Sequence, residues 1–179
     1  MERIYAAGWQ GRKVRFVAWV VLGALALALW GGWEITRGYG LRPADGGVLK
    51  PLAVRLAFGG CVAALGLLFA VGMWIYGRCY VAEASVDETR GVLGITLIGL
   101  VLRSRMEVPV DDVEGSTYHA GRSNTGDFTV NAPWVSVRLR GRRLPLIVDA
   151  QGEFIRRELV VEHLFRAPRR GRRGTARPR

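Results

Sequence analysis

Two stretches of this chain, residues 16–33 and 56–77, contain no Asp, Glu, Lys, Arg or His across 18 and 22 positions. An α-helix rises ~1.5 Å per residue, so roughly 20 apolar residues cross a ~30 Å hydrocarbon core. Both stretches therefore predict spanning helices, the first only just, joined by a short polar link into a hairpin. The expected organisation is a basic cytoplasmic N-terminus at 1–15, a two-helix transmembrane hairpin at 16–77, a small β domain with a C-terminal helix at 78–166, and an Arg-rich flexible tail at 167–179. A domain of that size leaves no room for a large active-site cleft.

Charge placement gives the hairpin an orientation. The chain carries a net charge of +11, and of its 26 basic residues only Lys13 and Lys50 are lysine. Such an arginine bias reflects genome composition and points to a bacterium and its inner membrane. Arg3, Arg12, Lys13 and Arg15 precede the first stretch, Arg37, Arg42, Lys50 and Arg55 occupy the link, and the other arginines follow the second stretch. By the positive-inside rule both termini and the β domain are cytoplasmic, with the link outside. A cleaved signal peptide is the competing reading. Against it, Trp30-Gly31-Gly32-Trp33-Glu34 has no small-x-small cleavage site and the apolar run exceeds a signal h-region.

Inside the hairpin, Gly59, Ala63, Gly66 and Ala70 fall at steps of four, three and four and form one small-residue stripe, while the first helix offers Gly23, Ala24, Ala28 and Gly31. Such stripes permit close helix contact. Either the two helices pack on each other, or one stripe docks on a larger integral complex. Trp30, Trp33, Trp74, Tyr76 and Tyr80 stand at the run ends as interfacial anchors. With no Asp, Glu, Lys, Arg or His in either run there is no ion path, proton relay or haem-ligating histidine. Cys61 and Cys79 would lie about 27 Å apart on one helix, too far for a disulfide. No cofactor and no metal site is expected, since His119 and His163 are the only histidines and no CxxC occurs.

After residue 77 the pattern changes to strands and turns. Residues 80–86, 92–102, 103–110, 128–131, 134–140 and 144–148 read as strands, with turns at 87–91, 111–112 and 141–142, and with 122–127 as the longest polar loop. The 92–102 segment is apolar on both faces, so one face is expected to meet the membrane or a partner. Asp149 is placed to cap a closing helix carrying Phe154, Ile155, Leu159, Val161, Leu164 and Phe165, with i,i+4 pairs Glu153–Arg157 and Glu162–Arg166, and Pro168 stops it. The predicted fold is a membrane α-hairpin plus α+β: a small antiparallel sandwich or partial barrel closed by that helix.

This arrangement, with Val108-Pro109-Val110-Asp111-Asp112-Val113 and Val148-Asp149-Ala150-Gln151-Gly152-Glu153-Phe154, resembles PH-like membrane domains with a two-helix hairpin. Two groups are similar to it across residues 16–166. One is a mitochondrial family of two-helix proteins that assist assembly of ATP synthase and complex I. The other is a bacterial PH-like group that includes assembly proteins of photosynthetic and respiratory complexes. The resemblance implies the fold and an assembly role, and it transfers no catalytic residue.

Catalysis is not expected. Glu107, Asp111, Asp112, Glu114 and His119 are close in sequence but read as turn and solvation chemistry, and neither Ser123 nor Ser136 has a nucleophile-elbow setting. Two basic clusters remain. Arg138, Arg140, Arg142 and Arg143 lie on alternating strand positions and the following turn, and would form one face able to read phosphate. Arg169, Arg170, Arg172 and Arg173 belong to the tail, a cation suited to anionic lipid or an acidic protein surface; no aromatic residue interleaves it to stack bases, which disfavours nucleic acid. The expectation is a non-catalytic accessory or assembly subunit of a photosynthetic or respiratory complex, partnered by its integral subunits and by anionic lipid, with no small-molecule substrate. The alternatives are a PH-like module binding anionic lipid and an RNA- or ribosome-binding membrane protein.

Overall fold

The computed structural model describes residues 1–99, 102–125 and 128–165. Among the described residues the chain forms, in order, β1 (Glu2–Ala6), α1 (Gly8–Gly38), α2 (Leu52–Cys79), β2 (Val81–Asp87), β3 (Val92–Leu97), β4 (Ser104–Pro109), β5 (Val113–His119), β6 (Arg122–Thr125), β7 (Phe128–Asn131), β8 (Trp134–Leu139), β9 (Leu146–Asp149), β10 (Glu153–Phe154) and α3 (Arg157–His163). These make two compact units. One is the helical hairpin, Arg12–Arg78 with Gly99–Leu102; the other is a β domain built from Met1–Gly11, Cys79–Ile98 and the chain from Arg103 on.

Helices α1 and α2 are 31 and 28 residues long, and both are long and apolar enough to cross a membrane. They touch through a seam of small residues. A Cβ on Gly32 would come 2.6 Å from the Gly59 carbonyl oxygen and 3.3 Å from the Ala63 Cβ, and one on Gly66 would come 2.5 Å from the Ala28 Cβ. Gly59 faces the Gly32 carbonyl and the Thr36 hydroxyl so closely that nothing larger than hydrogen fits. Gly23 and Gly31 instead face open space. With small residues inside, the large ones point outward: Phe16, Leu27, Trp30, Leu68 and Phe69 are all at least 65% exposed. At the link, the Arg55 guanidinium donates to the Thr36 carbonyl at 2.9 Å, which places a cation on the last turn of α1 where the helix leaves carbonyls unpaired.

The β domain holds a five-stranded antiparallel sheet in the order β10-β1-β2-β3-β4, a three-stranded sheet β5-β8-β9, and the two-stranded hairpin β6-β7. The first two sheets meet where Tyr80 bridges Ile147. Alternation decides which side chains go inward: on β8 Val135, Val137 and Leu139 are buried while Arg138, and Arg140 just beyond the strand, are exposed. Ile4, Tyr5, Tyr80, Leu93, Ile95, Leu146, Val160 and Leu164 form the fully buried centre.

The structure departs from the expectations at four places. The N-terminal segment contains β1, which sits between β2 and β10, with Tyr5 opposite both Ala84 and Phe154. The third strand stops at Leu97 and lies between β2 and β4, with Leu93, Ile95 and Leu97 buried in the domain's own core. Within the expected polar loop at 122–127, residues 122–125 form β6, paired with β7. The closing helix is confined to Arg157–His163, because Asp149 ends β9 and residues 153–154 form a strand; Arg166 and Pro168 lie outside the described residues.

On α3 both ring nitrogens of His163 are buried without a hydrogen-bond partner among the described residues. An unsatisfied buried polar atom costs about 1–3 kcal/mol, and an apolar replacement of similar volume removes that cost. His163→Leu is expected to leave stability unchanged or raise it by about 1 kcal/mol, read as the chemical-denaturation midpoint of the detergent-solubilised chain.

Candidate functional site

One concavity of the β domain is built around the passage from one sheet to the other. Asp149 ends β9, and its carboxylate accepts hydrogen bonds from the Gln151 backbone N–H (2.8 Å) and the Tyr80 hydroxyl (3.1 Å). The Tyr5 hydroxyl donates to the Asp149 carbonyl at 3.2 Å. Gly152 lies flat on the Tyr5 ring, where a Cβ would sit 2.6 Å from the ring edge and the hydroxyl oxygen. The chain is thereby turned into β10, which pairs with β1. Aromatic contacts continue outward, from Tyr5 to Phe154 at 5.4 Å between ring centroids and from Phe154 to Phe165 at 6.0 Å.

Beyond these rings lies a groove of about 840 Å³, lined by Tyr118 on β5, Val135 on β8, Phe154 on β10, and Arg157, Val161 and Phe165 on or beside α3. Tyr118 is 63% exposed and Val161 51%. Among the described residues that line it, Arg157 alone is charged. None of these positions was singled out from the sequence as a site, although Tyr118, an aromatic residue on an otherwise polar strand, was a visible signal.

Burial, and secondly the Asp149 carboxylate, push the Tyr5 hydroxyl above its ordinary pKa, with the hydrogen bond to the Asp149 carbonyl opposing them. An unfolded tyrosine ionises near pH 10. Folded Tyr5 keeps its proton beyond that, so above about pH 10 the unfolded state binds fewer protons and stability falls as pH rises, by up to about 1.4 kcal/mol per pH unit. Tyr5→Phe should remove this alkaline component and cost about 1 kcal/mol at neutral pH through the lost hydrogen bond; denaturation midpoints on either side of about pH 10 check both.

The sequence-predicted residues are distributed as follows. Gly59, Ala63 and Gly66 lie on the α1–α2 seam, and Ala70 is buried. Arg138, Arg142 and Arg143 line a second concavity of about 350 Å³ together with Glu114 and Pro145. Arg140 is drawn away to Asp112, 3.7 Å from its carboxylate. Arg142 also donates to the Met106 sulfur at 3.1 Å. His119 stacks on Trp134, with ring centroids 3.9 Å apart, and its Nε2 is 3.1 Å from the Ser136 hydroxyl. Arg169, Arg170, Arg172 and Arg173 lie outside the described residues.

An apolar helix pair long enough to cross a membrane, joined to an antiparallel β domain with an open groove, points to membrane association. The chain belongs to the TMEM70/TMEM186/TMEM223 protein family, whose model matches residues 14–160. That is a mitochondrial assembly-factor family, its members are not known as enzymes, and membership is consistent with an assembly factor of an energy-converting complex whose subunits are its partners. Of the two groups named from the sequence the match falls on the mitochondrial one, and no comparison supports the bacterial PH-like group. A search of curated proteins returns no match.

Proposed function

We propose that this chain is a non-catalytic assembly factor of a multisubunit energy-converting membrane complex, engaging membrane subunits with its hairpin and an adjoining soluble segment with its β domain. The observation that carries the proposal is the seam. Because glycine and alanine take up the inner face, the large apolar side chains of both helices are left for lipid or for other helices, and residues 16–33 and 56–77 carry no Asp, Glu, Lys, Arg or His. Strands β1 and β2, neighbours in one sheet, adjoin the two ends of the hairpin in the chain. This supports an N-terminus and a β domain on one side of the membrane, the cytoplasmic side by the positive-inside rule. Two antiparallel sheets ended by a helix support a PH-like reading of the domain. The arginine bias supports a bacterial inner membrane, and the family a mitochondrial one.

The test is deletion of the gene followed by native gel electrophoresis of membranes. The reading predicts loss of one mature energy-converting complex, accumulation of a smaller subassembly, and recovery on re-expression. Unchanged levels of every such complex would overturn it.

A second reading, anionic-lipid binding, is favoured by the convergence of Arg138, Arg142 and Arg143 on one concavity. In nanodiscs, anionic lipid should then raise the melting temperature of the native chain and not that of Arg138→Gln/Arg143→Gln; equal shifts reject it.

A further inference from the structure

We propose that the connection between β3 and β4 is a point of membrane contact, with Leu102 seated among lipid beside the end of α2. The inference rests on α2 being a spanning helix. Three observations carry it. First, the connection is tied to that helix end. Ile98 donates its backbone N–H to the Tyr80 carbonyl and Gly99 donates to the Gly77 carbonyl, both at 3.1 Å. Gly77 lies in the last turn of α2, where carbonyls lack partners within the helix, so the Gly99 amide satisfies one of them. Main chain meets main chain there: a Cβ on Gly77 would sit 3.3 Å from the Gly99 carbonyl carbon, and Gly99 turns the chain with a φ of +61°, a conformation that favours glycine. Second, that helix end carries the marks of a membrane–water boundary. The Arg78 guanidinium lies over the Trp74 ring, 4.9 Å from its centroid, and tryptophan rings and the heads of long arginine side chains both settle at headgroup level. The bond to Gly77 holds Gly99 at this same level. Third, Leu102 is 80% exposed, more than Phe16 at 69% or Trp30 at 65% on the outward side of α1. Residues 97–102 carry no polar side chain, and Arg103 directly after them pairs with Glu83 of β2 at 3.1 Å, which returns the chain to water.

The occupant is the interfacial layer of the bilayer, headgroups and the first part of the acyl chains. Lipid takes Leu102 out of water as it does the outer side chains of the hairpin. A partner helix would also cover a leucine, but Trp74 and Arg78 match a lipid surface, and lipid is present wherever α2 spans. Because Leu93, Ile95 and Leu97 are buried in the β domain, the contact is confined to the end of this apolar segment.

The experiment places a nitroxide on a cysteine introduced by Leu102→Cys in the full chain, in phosphatidylcholine nanodiscs. Cys61, which is exposed, is changed by Cys61→Ala, and the buried Cys79 is kept, with the chain lacking an introduced cysteine as the labelling control. Collisions of the label with oxygen, which concentrates in lipid, are compared with those with a water-soluble nickel chelate. Leu68→Cys on the outer side of α2 and Thr89→Cys in the exposed turn between β2 and β3 supply the lipid and water references. Expected at position 102 is an oxygen-to-nickel ratio near that at 68 and well above that at 89. In the chain without label, Leu102→Asp should lower the melting temperature in nanodiscs and Leu102→Met leave it level. A ratio at 102 equal to that at 89, or equal melting of the two variants, overturns the proposal. Shielding of position 102 from both reagents overturns it as well, by giving Leu102 to a protein contact. Nickel access at position 68 would overturn the spanning reading of α2 and this proposal with it, whereas water at 102 alone leaves the hairpin and the assembly reading standing.

Discussion

Ile4→Asp is expected to unfold the β domain while leaving the two long helices formed. Ile4 is fully buried on β1, the strand between β2 and β10, and its carbonyl accepts the backbone N–H groups of Ile155 (3.0 Å) and Arg156 (3.3 Å). A carboxylate there has no partner, and an unpaired charge in a core costs about 4 kcal/mol or more, a large share of the 5–15 kcal/mol that holds a typical domain together. Ile4→Val, which keeps the shape less one methyl group, should cost only about 1 kcal/mol. Limited proteolysis of the solubilised chain reads both: the Asp variant should be cut throughout the segment after residue 79, the Val variant no more than about fivefold faster than the native chain. If the Asp variant resists protease like the native chain, β1 is not part of the sheet.

The second large effect is expected on the helix seam. Gly59→Leu forces a side chain against the Thr36 hydroxyl and into the Gly32 carbonyl, which cannot retreat without moving the backbone of α1. Overpacking a tight contact costs about 1–3 kcal/mol, and here the obstruction is main chain, so the helices must separate. Gly23→Leu and Gly31→Leu enter open space and serve as controls of equal hydrophobicity. Melting in mild detergent should fall for Gly59→Leu and stay level for the controls. A uniform response across the three would show that the hairpin does not pack through this seam.

The hairpin was legible because the absence of charge over two long runs has few other physical causes. Strands β2, β4 and β8 were legible for a related reason, since alternation such as Val135, Val137 and Leu139 against Ser136, Arg138 and Arg140 records burial on one face directly in the sequence. Strand β1 has only Ile4, Tyr5 and Ala6 to show after two charged residues, and both its partners lie beyond the hairpin in the chain. Strand β5 carries Gly115 and Ser116 and owes its pairing to β8. Asp149 and the Glu153–Arg157 spacing imitate a cap and an ion pair, so the sequence reads as a longer C-terminal helix than the fold contains. In the fold that carboxylate holds a turn and the Tyr80 hydroxyl. The groove was not legible at all: Tyr118, Val135, Phe154 and Val161 belong to four elements, and only the tertiary fold brings them together.

Most direct for the assembly claim is a pulse-chase of the tagged full chain, solubilised in mild detergent and resolved on native gels as a complex matures. The account predicts that newly made membrane subunits co-migrate with the chain early in the chase, and that the mature complex is free of it later. A chain that migrates alone at every time point, or that remains in the mature complex in constant proportion, would contradict it.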